Sequence, residues 1–413
     1  MVIRFCAWFL ARIVPATEPI RPCFGCRDPN LQPMDTCMPC TPFRLRFSLR
    51  AGALLLALMG LGACGGGDEP NPDGPRSGSE GPPPSAGAPT GEVPVPPAGL
   101  AVDTSQPDQV VGTGTPASCT GPAVVSAVAQ GGKIRFNCGP DPVTITLGST
   151  ARVFNNRPDV TLDGGGLITL SGGGSVRILY QNTCDPAQVW TTSQCDNQET
   201  PRLTVQNMRF AHGNATGQLT DGGGGGAIFV RGGQFKIVNS VFTSNRCDTV
   251  GPDVGGGAVR VLDMFQNRPV YVVQSTFGGA PGMGNSCSNG GALSGIGVSY
   301  SIYNSLLSHN AALGNGANPQ RPGTPGGGSG GAIYNDGNTF TLAVHGSVVS
   351  DNTASEGGSA VFFVSNDRTG RMTLSDSVFV RHPVTRFGTD GLPGFFVLAA
   401  PGQPVITRTT LSH

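Results

Sequence analysis

The chain has 413 residues, 64 of them Gly and 35 Pro, and its 26 basic and 26 acidic side chains leave no net formal charge. Only 13% of residues are charged and only Lys133 and Lys236 are lysines, which counts against an electrostatic grip on nucleic acid. No stretch reaches the roughly 18 uninterrupted apolar residues of a membrane-spanning helix. Length alone allows two or three domains, but a Pro-rich first part followed by a Gly-rich, repetitive remainder fits one solenoid behind a non-globular leader.

Residues 1–40 hold Cys23-x-x-Cys26 and Cys37-x-x-Cys40, a spacing that imitates a four-cysteine zinc site. A folded metal site ahead of an export signal is a poor fit, so no metal is assigned, and an over-extended start codon explains residues 1–37 better. Residues 38–63 read as a signal peptide, with Arg44, Arg46 and Arg50 before the short apolar run Ala51–Gly62. Leu61-Gly62-Ala63-Cys64 resembles a bacterial lipobox. That resemblance implies cleavage before Cys64, lipidation of Cys64, and sorting to the outer membrane because Gly65 rather than Asp follows. An ordinary secretory signal ending at a chance cysteine is the alternative. Residues 64–117 are then expected to be the lipidated cysteine and a flexible Pro/Gly-rich tether, since they carry too few large apolar side chains to offset the entropy of ordering.

The folded part is expected over 118–413. Pro122–Gln130 is a short amphipathic stretch suited to a capping helix. Short β runs follow at Lys133–Asn137, Val143–Leu147, Val160–Leu162, Ile168–Leu170 and Val176–Tyr180, each bounded by Gly, Asn, Asp or Pro. Six further cysteines suit an oxidising compartment. Cys119 with Cys138 ties the helix to the first strand, Cys184 with Cys195 closes an insertion, and Cys247 with Cys287 joins equivalent positions of adjacent coils.

From Leu203 onward one unit is written seven times. Anchored on its large apolar residue it recurs at Phe210, Phe242, Phe277, Leu307, Val349, Phe379 and Leu411, in steps of 32, 35, 30, 42, 30 and 32 residues. A period of this size is the mark of a solenoid. Five residues earlier stand Val205, Ile237, Val272, Ile302, Val344, Leu374 and Ile406, with no polar exception, so this column faces inward. Three earlier stand Asn207, Asn239, Gln274, Asn304, Gly346, Asp376 and Arg408, a set rich in residues that tolerate a left-handed bend. Each unit re-enters through Gly-Gly-Ala, as at 225–227, 256–258, 290–292 and 330–332.

Three short strands per unit describe an all-β, single-stranded right-handed parallel β-helix with an N-terminal capping helix. The alternation of G-G-A-[I/V/L] with F-x-x-N resembles the repeats of the polymorphic outer-membrane protein family, and the wider pattern is similar to the pectate-lyase-like superfamily. The resemblance implies an adhesive or polysaccharide-binding surface protein, or alternatively a polysaccharide lyase or glycoside hydrolase. The family's C-terminal barrel has no counterpart before His413, so the lipid on Cys64 is expected to be the only membrane attachment, with the solenoid in the periplasm or outside the cell.

Two rows carry the candidate chemistry. If Ile228 and its equivalents point inward, then Phe229, Arg260, Ser294, Tyr334 and Phe362 point outward at about 4.8 Å per coil. Such a row suits stacking on sugar rings and binding of a uronate carboxylate; a ladder that only stabilises the stack is the plainer reading. The row holds no carboxylate cluster for calcium, and no cofactor is expected. At the unit's edge His309, Asp351 and Arg381 fall consecutively, an arrangement in which a His held by Asp beside Arg can act as base and carboxylate neutraliser; a solvated turn edge is the alternative. Trp190, in the Cys184–Cys195 insertion, reads as a loop-core residue or a sugar platform.

Overall fold

The computed structural model describes residues 84–413, which form an all-β protein of long parallel sheets with a single α-helix, Gly121–Gln130. The readings placed on residues 1–83, including the signal peptide and Cys64, lie outside the described residues. No helix among the described residues is long and apolar enough to cross a membrane.

The chain visits three stacks of strands in turn. An 8-stranded stack, hereafter the first, holds the strands that follow Gly-Gly-Ala, Ile228–Arg231, Val259–Leu262, Leu293–Ile296 and Ile333–Gly337, together with Leu179–Asn182, Val361–Ser365 and two others. The second stack includes Gln234–Val238, Val270–Val273, Tyr300–Tyr303 and Thr341–His345, and the third Val241–Thr243, Thr276–Gly278, Leu306–Ser308 and Val348–Ser350. Second and third stacks share one 17-stranded sheet because Asp159–Ser171 and Arg202–Ala211 run unbroken through the bend between them. The separate β runs expected at Val160–Leu162 and Ile168–Leu170 are thus one strand, irregular between Asp163 and Ile168. Every pairing between these strands is parallel, and the arrangement is compatible with a parallel β-helix.

The repeat columns of the sequence are the registers of the stacks. Phe210 pairs with Phe242, Phe242 with Phe277, and Phe277 with Leu307, continuing through Val349 and Phe379 to Leu411. The Phe210, Phe242 and Phe277 rings stack at 4.9 and 4.7 Å between centroids. Val205, Ile237, Val272, Ile302, Val344 and Leu374 are fully buried in the same core. Parallel stacking places like on like, so one apolar column becomes one continuous core.

Both bends of each coil take a left-handed backbone. Asn207, Asn239, Gln274, Asn304, Asp376 and Arg408 have φ between 44° and 51°, as their column implies. The bend after the third stack is made by His212, Ser244, His309, Asp351 and Arg381, with φ between 52° and 62°. A buried asparagine ladder follows it: the Asn245 side-chain N–H donates to Asn285 Oδ1, Asn285 to Asn310 and Asn310 to Asn352, each at 2.9 Å. The same amides donate to the carbonyls of Phe210, Phe242, Phe277 and Leu307. Inside the other bend the backbone N–H of Ser240, Ser275, Ser305 and Ser347 donates to the hydroxyl one coil on, at 3.0 to 3.2 Å. These ladders satisfy polar groups that the bends would otherwise bury without partners.

The helix Gly121–Gln130 is capped by Thr120 and buries Val124, Ala127 and Val128. The three disulfides pair as expected, Cys119–Cys138, Cys184–Cys195 and Cys247–Cys287, with Cα separations of 5.7, 4.6 and 4.8 Å. The last value is the spacing of neighbouring coils.

Residues 84–117 differ from the flexible tether that their composition suggests. Residues 84–104 lie along the second stack as a strap, running from Thr276 and Asn304 back towards Gln206 and Asp163. Gln109–Val111 then pairs in parallel with Gly132–Phe136. Few large apolar side chains are needed, because the coils meet the strap's backbone with hydrogen bonds.

The asparagine ladder is open to a direct test. Asn285→Ala removes partners from Phe242 O and from the Asn245 N–H at a fully buried position, at about 1–3 kcal/mol for each group left unpaired. Denaturant unfolding should register a loss of about 2–5 kcal/mol. Asn239→Gly, on the exposed bend, should cost under about 1 kcal/mol because glycine keeps the left-handed backbone.

Candidate functional site

The row built on Phe229, Arg260, Ser294, Tyr334 and Phe362 is in register, and it extends to Tyr180 at one end and Phe396 at the other. Its side chains point away from the main core, yet they are not a surface: none of the five is more than 3% exposed. Tyr334 stacks on Phe362 at 4.8 Å and Phe362 on Phe396 at 5.2 Å, while Phe387 closes the edge. Burial therefore removes the open sugar-stacking platform expected of these residues. Residues from loops outside the row cover them, among them Arg177 over Phe229, Asn318 at Tyr334 and Phe387 at Phe362, and no periodic pattern in the sequence marks where a loop folds back.

The largest cover is the insertion at 313–330. Arg321 donates to both oxygens of Glu356 at 2.5 and 2.8 Å, and Gly316 N–H donates to Oε1 at 2.9 Å. Asn318 reaches Asp253 at 3.0 Å and the Tyr334 hydroxyl at 3.1 Å. Beneath it the Arg260 guanidinium donates to Ser294 Oγ and to the Asp253 carbonyl, each at 2.6 Å. Burial lowers its pKa and raises that of Asp336.

His309, Asp351 and Arg381 are brought together on the left-handed bend, but not as a base held by a carboxylate. Asp351 is engaged by both arms of Arg381, at 2.7 and 2.6 Å. That pair, more than His309, holds the Asp351 carboxyl below its usual range. Its guanidinium is spent on the neighbouring coil, and the side chain is 64% exposed. The geometry is that of a turn edge.

An open groove lies instead at the N-terminal end of the same row. A cavity of about 460 Å³ is lined by Arg152, Arg177, Tyr180, Asn182, Asp185 and Asp221, together with small and amide residues. The Tyr180 hydroxyl donates to Asp221 Oδ2 at 2.6 Å and accepts from Asn182 at 2.8 Å. Arg152 is paired with Asp185 at 2.7 Å. Arg177 stands over the Tyr180 and Phe229 rings at 5.5 and 5.0 Å and donates to the Gly225 and Gly224 carbonyls at 3.1 and 2.8 Å. Burial brings its pKa down to about 10, so it stays charged at neutral pH. Burial, and then the hydrogen bond to Asp221, push the Tyr180 phenol up to about 12, which makes it a donor and not a base. The groove thus offers charged acceptors from the loop residues Asp185 and Asp221, and an amide and a guanidinium from the strand residues Asn182 and Arg152. Asp185 belongs to the Cys184–Cys195 loop, which also carries Trp190. That ring is 46% exposed, so it is no loop core. Sequence reading passed over Tyr180 because no Gly-Gly-Ala precedes it; the column of outward aromatics, followed one coil further back, is the signal that finds it.

Among the described residues no group of three His, Cys, Asp or Glu side chains is placed to hold a metal ion. Fold and groove together define an all-β protein of stacked parallel sheets with a polar cleft on one face. Comparison with protein-family models, with curated proteins and with solved structures finds no match to the chain.

The Arg321–Glu356 pair sets a pH expectation. Hydrogen bonds from Arg321 hold the Glu356 carboxyl below its ordinary range. A depressed folded pKa contributes stability that is complete above the unfolded value and lost as pH falls through the folded one. Amide exchange over 313–328 should therefore accelerate only on acidification below the ordinary glutamate range. At neutral pH, Glu356→Ala should raise amide exchange over 313–328 about tenfold or more, since each charge-assisted bond lost is worth about 1.5–3 kcal/mol.

Proposed function

We propose that the chain is an exported, lipid-anchored, right-handed parallel β-helix that binds polysaccharide or a surface glycan in the Tyr180 groove. The observation that carries the binding reading is the open cleft of Arg152, Arg177, Asn182, Asp185 and Asp221, with the exposed Trp190 on the loop that supplies Asp185. Sugar hydroxyls need donors and acceptors within one rigid cleft, and an exposed aromatic face suits their C–H surfaces. Right-handedness is supported by the near-universal hand of parallel crossover connections, about 98%. Attachment through Cys64, an outer-membrane or cell-surface location and an adhesive role rest on the lipobox-like segment and on the repeats' resemblance to polymorphic outer-membrane proteins. Three disulfides suit an oxidising compartment.

A polysaccharide lyase or hydrolase is the second reading, favoured by one observation: two carboxylates, Asp185 and Asp221, line the same cleft. The high pKa of Tyr180 weighs against its use as a lyase base.

On a glycan array the wild-type chain should bind a restricted set of glycans. Asp221→Ala should weaken that binding about tenfold or more, because a charged hydrogen-bond partner is worth about 1.5–3 kcal/mol. Unchanged binding in Asp221→Ala and Trp190→Ala would remove the groove from the account. Release of unsaturated uronates or new reducing ends from a bound glycan, absent in Asp221→Asn, would favour the enzyme. For the anchor, Cys64→Ser should leave the outer-membrane fraction, and its retention there would contradict lipidation.

A further inference from the structure

The strap is held in a manner unlike ordinary packing. Thr276 accepts from the Gly87 N–H at 3.0 Å and donates to the Ser85 carbonyl at 2.8 Å. Asn304 accepts from the Val93 N–H at 2.9 Å and donates to the Val93 carbonyl at 2.8 Å. Gln206 repeats this two-way grip on Val102, at 2.8 and 2.9 Å. Lys236 donates to the Leu100 carbonyl at 2.6 Å. Each of these bonds uses the strap's main chain, which turns at Ala88–Gly91 and at Pro97–Gly99, while the Thr104 hydroxyl adds a side-chain bond to Asp163 at 2.6 Å. Selectivity enters at two glycines. A Cβ on Gly91 would stand 2.7 Å from Asn304 Cα and the Gly346 carbonyl, and one on Gly99 2.8 Å from Val95 Cγ1 and 3.2 Å from Tyr271. Under the strap, Val238 and Val273 point outward from the second stack and are nonetheless buried. The segment that joins the strap to the coils, Ser105–Asp108, is exposed.

We propose that this face of the second stack is a binding groove for a glycine-punctuated polypeptide that turns at its glycines, and that residues 84–104 of a second copy of the chain can take the place of the chain's own strap. A two-way grip on one residue's N–H and C=O gives affinity through the main chain, largely independent of that residue's side chain. The segment 84–104 meets the glycine requirement at both 91 and 99, and the exposed joint at 105–108 lets it leave while Cys119–Cys138 keeps the helix in place. The inference is independent of the glycan reading, which concerns the first stack.

The test uses the full chain carrying Gly91→Val and Gly99→Val, which should dislodge its own strap, and a fluorescent peptide of residues 84–104. The variant should bind the peptide saturably and at least about tenfold more tightly than the wild type, whose groove is filled. Adding Asn304→Ala should cost about tenfold, the equivalent of one or two hydrogen bonds, and the peptide with both valines should not bind. A folded variant, with native circular dichroism and three disulfides, that ignores the peptide overturns the proposal. A second measurement avoids the valine variants: two differently tagged copies are mixed, one Val95→Cys and the other Val273→Cys. A disulfide between the copies supports exchange, and its absence after prolonged incubation rejects it.

Discussion

Lateral register is the constraint on which everything else depends. Each residue stands on its counterpart one coil away, at about the 4.8 Å spacing of hydrogen-bonded strands. A residue in such a stack must therefore be compatible with copies of itself. Phenylalanine rings stack face to face, branched aliphatic chains fill the core, and asparagine amides pass a hydrogen bond from coil to coil. Charge does not stack on like charge. Where Asp351 and Asp376 occupy a bend, the next coil answers with Arg381 and Arg408.

The same constraint explains why the bends are polar and yet buried. A tight turn leaves backbone groups without strand partners, and the neighbouring coil repeats the deficit at the same place. Asn245, Asn285, Asn310 and Asn352 solve it for all coils at once, each amide serving its own turn and the next. Ser240, Ser275, Ser305 and Ser347 do the same at the other bend. The Asn207 column has one such link, Asn239 to Asn207. From there the column turns outward, and Asn304 serves the strap.

Function is left to what breaks the period. The coils' outward row would be an aromatic surface were it not roofed by the insertion at 313–330 and by the Phe387 loop. A polar cleft along it opens where the repeat is least regular, beside the Cys184–Cys195 insertion. The strap occupies another outward face. The stacked parallel sheets thus carry two different outward features, a cleft lined by mixed charge and a face whose amides grip a backbone.

The sequence by itself determined whatever repeats. The period, the inward columns, the left-handed bend at Asn207 and its equivalents, the helix after Thr120 and the three disulfide pairs could all be read from residues, because stacking turns a column of letters into a column of neighbours. Even the outward row from Phe229 to Phe362 was correctly aligned. What only the tertiary structure decided is which outward residues meet solvent and which segments lie against the coils. Covering Tyr334 depends on Arg321 finding Glu356, and ordering residues 84–104 depends on Thr276, Asn304 and Gln206 meeting a backbone with no apolar pattern of its own. Such contacts join positions far apart in the chain and occur once each. Periodicity carries no information about them.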